Sequence, residues 1–204
     1  MEWQMNLEWQ FLISLAAFAA TMTGTPGPNN MMVTASGANF GYWRTVPHML
    51  GIGGGLVSMI LLVAAGLGVL FVRYPVLHEA LRWLGSAYLL YLAWKIASSG
   101  GRVQTEDSDA RPMSFFAAAL FQYVNPKAWM MSVTAISTFT MSGEGYWLSA
   151  AAVALIFFVV GFPCVSLWAG FGTMIGRWLN QPKARQIFNL LMGALTAGCV
   201  VMIW

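Results

Sequence analysis

Thr25-Pro26-Gly27-Pro28-Asn29-Asn30 and Asn125-Pro126-Lys127 each fall inside a long apolar run, where proline, asparagine and lysine are all out of place. A proline in a helix interior removes an N–H donor and clashes with the carbonyl one turn back. Each stretch should therefore split its helix and restart it at or near Pro28 and Pro126. A restarted helix exposes free N–H groups and the positive end of its dipole, which suits a carboxylate. Asn125 is a favoured N-cap type, and Lys127 adds a full positive charge to that terminus. At the other break, the carbonyls freed before Pro26 and Pro28, together with Asn29 and Asn30, offer acceptors for an ammonium group. A zwitterionic amino acid needs that pair of corners.

Each group also has a structural use, and the residues alone leave the choice open. The two prolines can kink a span whose neighbours satisfy the backbone. Lys127 can snorkel or pair with a carbonyl, and Asn29 and Asn30 can cap the second half-helix. Gln122, about one turn before Asn125, either lines a cavity or bonds the broken backbone. The candidate substrate-binding set is Thr25, Gly27, Pro28, Asn29, Asn30, Gln122, Asn125, Pro126 and Lys127.

The elements that position these residues follow from composition. In 204 residues 58% are hydrophobic and 8% charged, with a mean hydropathy of +0.66, against about 25% charged in a soluble domain. The chain reads as an integral membrane protein. Its apolar runs are about 20 residues long without period-two alternation, so the spans are helices and not barrel strands. The net charge of +3 comes from basic residues scattered at span ends, which argues against nucleic acid as a partner. Membrane lipid is the expected surround.

Six apolar segments are expected, near residues 7–33, 47–72, 80–97, 114–140, 147–173 and 186–204. A polar stretch at 98–113 divides one transmembrane domain into halves of three spans, 1–97 and 114–204. Arg44, Lys95, Arg102, Arg111, Arg177, Lys183 and Arg185 flank one side, and Arg73 and Arg82 the other. By the positive-inside rule the linker is cytoplasmic and both termini lie outside. Trp43, Trp83, Trp147 and Trp178 sit near span ends, as interfacial anchors do.

On this layout both breaks fall near the same depth, one in a span running inward and one in a span running outward. The residues after them are alike: Pro28-Asn-Asn-Met-Met-Val-Thr-Ala35 against Pro126-Lys-Ala-Trp-Met-Met-Ser-Val-Thr-Ala135. Interrupted helices at matching positions of two inverted halves point to a transporter's substrate site. The expected fold is an all-α membrane protein of six transmembrane helices in two inverted-topology three-helix repeats, the first and fourth helices broken at proline motifs.

Other features read as structural. Gly51-Ile-Gly-Gly-Gly55 lacks the Lys-Ser/Thr of a nucleotide loop and serves as a small-residue face for close helix approach. Gly161 and Pro163 should kink the fifth span, His48 reads as interfacial, and Cys164 and Cys199 read as small core residues.

Thr25–Asn30, Leu92-Ala-Trp-Lys-Ile96 and Phe121-Gln-Tyr-Val-Asn-Pro-Lys127 together resemble the LysE/RhtB family of bacterial amino-acid exporters. The resemblance covers nearly the whole chain. Within the family, Thr25–Asn30 and Val133–Phe139 look most like the branch exporting cysteine and O-acetylserine, homoserine and threonine. It implies an inner-membrane location, a homodimer, and efflux of amino acids or derivatives driven by proton antiport.

The residues narrow the substrate independently. No Asp or Glu lies deep in a span, so a dibasic substrate would lack a countercharge and a small neutral amino acid is expected. The alternative is export of a divalent metal or another small solute. A metal exporter needs carboxylates, histidines or thiolates clustered at one depth. An intramembrane thiol-transfer enzyme needs a cysteine near each break, whereas Cys164 and Cys199 lie in the fifth and sixth spans. No enzyme activity, cofactor or metal site is expected.

Overall fold

The computed structural model describes residues 2–99, 111–202 and 204; most of the linker expected at 98–113 lies outside them. Every long element is a helix: α1 (Glu2–Gly24), α2 (Pro28–Phe40), α3 (Tyr42–Leu62), α4 (Gly68–Arg73), α5 (Pro75–Ala97), α6 (Phe115–Gln122), α7 (Pro126–Phe139), α8 (Tyr146–Trp178) and α9 (Pro182–Gly198). Proline opens α2, α5, α7 and α9. Its fixed φ suits the first helical turn, and the N–H it lacks would have no intrahelical partner there.

Both expected breaks are present. Residues 25–27 separate α1 from α2, and 123–125 separate α6 from α7. The second apolar segment is also interrupted, which the sequence reading did not foresee. A π-helical turn at Val63–Leu67 contains Gly66 at φ 99°, a conformation that needs no Cβ, before α4 begins. The fifth segment, by contrast, is one 33-residue helix that continues through Pro163. Among the described residues, three helical stretches, Tyr42–Leu67, Gly143–Trp178 and Pro182–Val201, are long and apolar enough to cross a membrane.

α8 packs against α1, α2 and α3, α3 against α6, and α5 against α9. The main core joins Leu15 and Ala19 of α1, Met59 and Ile60 of α3, Ala128 and Ala135 of α7, and Val153 and Phe157 of α8. The small-residue face on α3 lies where the reading put it. A Cβ on Gly55 would stand 2.6 Å from the Ala119 backbone, and one on Gly51 would overlap the Phe115 carbonyl. α6 is thereby held against α3, which fixes the position of the second break. Large apolar side chains also face outward: Leu148, Val76, Leu167 and Phe116 are each at least three-quarters exposed. A bundle apolar outside as well as inside is built for lipid. Trp43 and Trp178, at helix ends, are both 82% exposed, as anchors would be.

Candidate functional site

The first break leaves the last carbonyls of α1 without helical partners. Asn30 returns its Nδ2 to the carbonyls of Thr23 (3.0 Å) and Thr25 (2.7 Å), and the Trp168 indole N–H of α8 donates to Gly24 at 3.0 Å. Lys127 completes the set from α7. Its Nζ donates to the Thr25 carbonyl at 2.7 Å, the Thr25 hydroxyl at 2.9 Å and the Pro26 carbonyl at 3.4 Å. Three ammonium hydrogens thus meet three oxygens at the negative end of α1. Lys127 pairs with carbonyls and does not snorkel.

The second break is closed by its own side chains. Asn125 caps α7, its Oδ1 accepting from the Lys127 backbone N–H at 3.2 Å. The Trp129 indole N–H donates to the Tyr123 carbonyl at 2.8 Å. Gln122 is fully buried and exchanges two side-chain hydrogen bonds with Asn29, at 2.8 and 3.2 Å, while its Nε2 also donates to the Ala118 carbonyl. Gln122 therefore bonds a carbonyl inside α6 and the opposite half.

The residue following the proline in each break reaches across to the segment before the other break: Lys127 to Thr25 and Pro26, Asn29 to Gln122. Neither Asn29 nor Asn30 caps α2, whose N-cap is the extended Gly27 with no side-chain cap bond. Gly27 is needed for space, because a Cβ there would stand 3.1 Å from Lys127 Cδ and 3.2 Å from its Nζ.

Gly27, Pro28, Asn29, Asn30, Asn125 and Lys127 border one cavity of about 30 Å³, with Met22, Ile52, Leu56 and Met131 as apolar walls. That volume holds a water or so and no amino acid. Thr25, Gln122 and Pro126 stand beside the break without bordering the cavity. Trp168 and Trp129 belong to the closure of the breaks and were missed from sequence; a tryptophan in an apolar run carries no signal that its N–H is committed to a distant carbonyl.

A second and larger cavity, about 430 Å³, opens between the C-terminal ends of α2 and α5 and the N-terminal ends of α3 and α6. His48, in the second turn of α3, borders it and is only 2% exposed, so it is packed inside the bundle. Neither cysteine is fully buried; Cys164 and Cys199 are both half-buried. Among the described residues no three His, Cys, Asp or Glu side chains come together.

Comparison with known proteins adds what geometry alone does not. The pattern of the LysE type translocator family matches residues 20–203. The chain belongs to that family. Both breaks and both cavities lie within the matched LysE region. Among curated relatives, the cysteine/O-acetylserine efflux proteins of Escherichia coli (strain K12) and Shigella flexneri are each 32% identical over 180 residues, covering 88% of this chain and 90% of theirs. That of Escherichia coli O1:K1 is 31% identical over the same length. No solved structure matches the chain. As a LysE type translocator it is a multi-pass membrane protein, in keeping with the outward-facing apolar side chains.

Proposed function

We propose that this LysE translocator exports small neutral amino acids, of the class of cysteine, O-acetylserine, threonine and homoserine, across the bacterial inner membrane by proton antiport. The observation that carries the reading is the cross-break contact of Lys127 with Thr25 and Pro26, beside two helix N-termini that border one cavity. The names of the curated relatives support the substrate class.

In this reading the lysine stands in for the substrate's own ammonium. An arriving zwitterion brings its carboxylate to Lys127 and the N-terminus of α7, and draws the ammonium of Lys127 off the α1 carbonyls. The substrate's amino group then takes the Thr25 and Pro26 oxygens. Each cation has an acceptor before and after the exchange, so no unpaired charge is left at mid-membrane depth. Opening the small cavity for the zwitterion requires the halves to move apart, as alternating access demands. No Asp or Glu borders either cavity among the described residues, so a cationic side chain would find no partner.

The reading includes six spans in two inverted halves, 1–97 and 114–204, joined by a cytoplasmic linker at 98–113. Both termini lie outside, and the chain forms a homodimer. The reciprocal reach of Lys127 and Asn29 supports the inverted relation, and the basic-residue asymmetry supports the orientation.

Everted membrane vesicles test the proposal. Radiolabelled cysteine, O-acetylserine, threonine, homoserine and lysine are offered with and without a proton gradient. Gradient-dependent accumulation of the neutral amino acids but not lysine is expected. Vesicles containing folded protein that accumulate none of the five would sink the exporter assignment.

A further inference from the structure

The larger cavity has a composition that the break site does not use. Lys95 and Arg111 border it, and among the described residues its lining contains no carboxylate. Lys95 belongs to the Leu92–Ile96 motif at the end of α5, to which the cross-break contacts give no task. Both cations stand at the end of the bundle where most of the chain's basic residues gather.

His48 supplies the independent observation. It borders this cavity while almost wholly buried, and neither Nδ1 nor Nε2, both without accessible surface, has a hydrogen-bond partner among the described residues. A buried imidazole always carries at least one N–H donor, and leaving it unmatched is costly unless something in the cavity receives it. Two cations bordering a space of about 430 Å³, with an unmatched donor in the wall behind them, describe a receptor for a small carboxylate that the imidazole turns to meet. Tyr88 and Tyr91, stacked with centroids 6.1 Å apart, border the same space, and aromatic rings there offer a surface for an ammonium group.

The cavity and the break share α2 as a wall. Pro28, Asn29 and Asn30 in the first turn of α2 border the small cavity, and Met32, Ala35, Ser36 and Asn39 further along the same helix border the large one. Ser36 lies seven positions after Asn29, about 10 Å along the axis.

We infer that the His48 cavity is a recruitment site, which holds a free small amino acid by its carboxylate through His48, Lys95 and Arg111 before the molecule advances along α2 to the break. The inference rests on the exporter reading for its direction of travel. The binding site itself does not depend on it.

The test combines transport with binding, using L-cysteine under reducing conditions as the probe. In everted vesicles, the paired substitution Lys95→Gln with Arg111→Gln raises KM about tenfold and leaves Vmax within about twofold, because it removes attraction without touching the break. His48→Phe raises KM similarly, and His48→Gln, which keeps a donor, recovers most of the loss. In nanodiscs, the purified wild-type protein binds radiolabelled L-cysteine, and cysteamine, which lacks the carboxylate, does not compete. Lys95 and Arg111 are exposed, so their substitution leaves folding intact, as size-exclusion chromatography will verify. Unchanged KM and unchanged binding in the paired variant overturn the recruitment site while leaving export standing; equal competition by cysteamine overturns it too. If wild-type vesicles transport no amino acid, the exporter reading falls and nanodisc binding decides alone. Binding lost in the paired variant then upholds the site, and no binding by wild type removes it.

Discussion

The ammonium of Lys127 lies 2.7 Å from the backbone carbonyl of Thr25, a residue 102 positions earlier in the chain, and 2.9 Å from its hydroxyl. One side chain thereby connects the start of one half-helix to the end of another and neutralises the negative end of α1.

That contact makes Lys127 the first residue to vary. Lys127→Gln retains length and some hydrogen bonding, and Lys127→Ala retains neither. Hydrogen bonds to a charged group are worth about 1.5–3 kcal/mol, so initial transport should fall by about 10- to 100-fold in the alanine variant. Transport of L-cysteine into everted vesicles measures this. Undiminished, still gradient-dependent transport in both variants would remove Lys127 from the mechanism.

Gly27→Ala examines the position of the same ammonium. The new methyl meets the flexible end of Lys127, at 3.1 Å from Cδ and 3.2 Å from Nζ, so the lysine shifts and the fold stays. A displacement of a few tenths of an ångström in a positioned charge should lower transport by about tenfold. The melting temperature should remain close to wild type. Lost folding with normal specific transport would contradict the assignment.

Asn29 and Gln122 are paired by two hydrogen bonds, and Gln122 is fully buried. Asn29→Ala leaves the Gln122 amide short of partners, at a cost of about 1–3 kcal/mol. The double variant Asn29→Ala with Gln122→Ala should be less destabilised than the sum of the singles, by about 0.5–3 kcal/mol of coupling. Reversible unfolding in detergent provides the cycle. Strict additivity would mean that the pair does not hold the two halves together.

Helix packing gives a stability prediction with an internal control. Gly55→Ala drives a methyl into the Ala119 backbone at 2.6 Å and should destabilise the protein by about 1–3 kcal/mol. Gly170→Ala, in α8 with nothing within 4 Å of the new carbon, should be neutral or stabilising by about 0.4–1 kcal/mol. Comparing the two unfolding midpoints in one detergent checks both. Equal effects would show that the α3–α6 contact is looser than described.

The sequence by itself determined where helices stop and start around the two motifs. Proline acts on its own backbone and on the carbonyl one turn away, so Pro26, Pro28 and Pro126 act the same way in any surroundings. Lipid exposure was legible too, because few charges and long apolar runs leave a chain no aqueous alternative. Gly66 was harder to read: a glycine in an apolar run signals helix packing as readily as a left-handed turn. Partner choice was settled only by the tertiary structure. Whether Lys127 snorkels or pairs, whether Asn30 caps forward or turns back to Thr23 and Thr25, and whether His48 faces solvent or a cavity all depend on which surface another helix presents. Trp168 finds the carbonyl of Gly24 across 144 positions of chain. Hydrogen bonds of that range are formed by packing α8 against α1 and α2, and no local propensity encodes them.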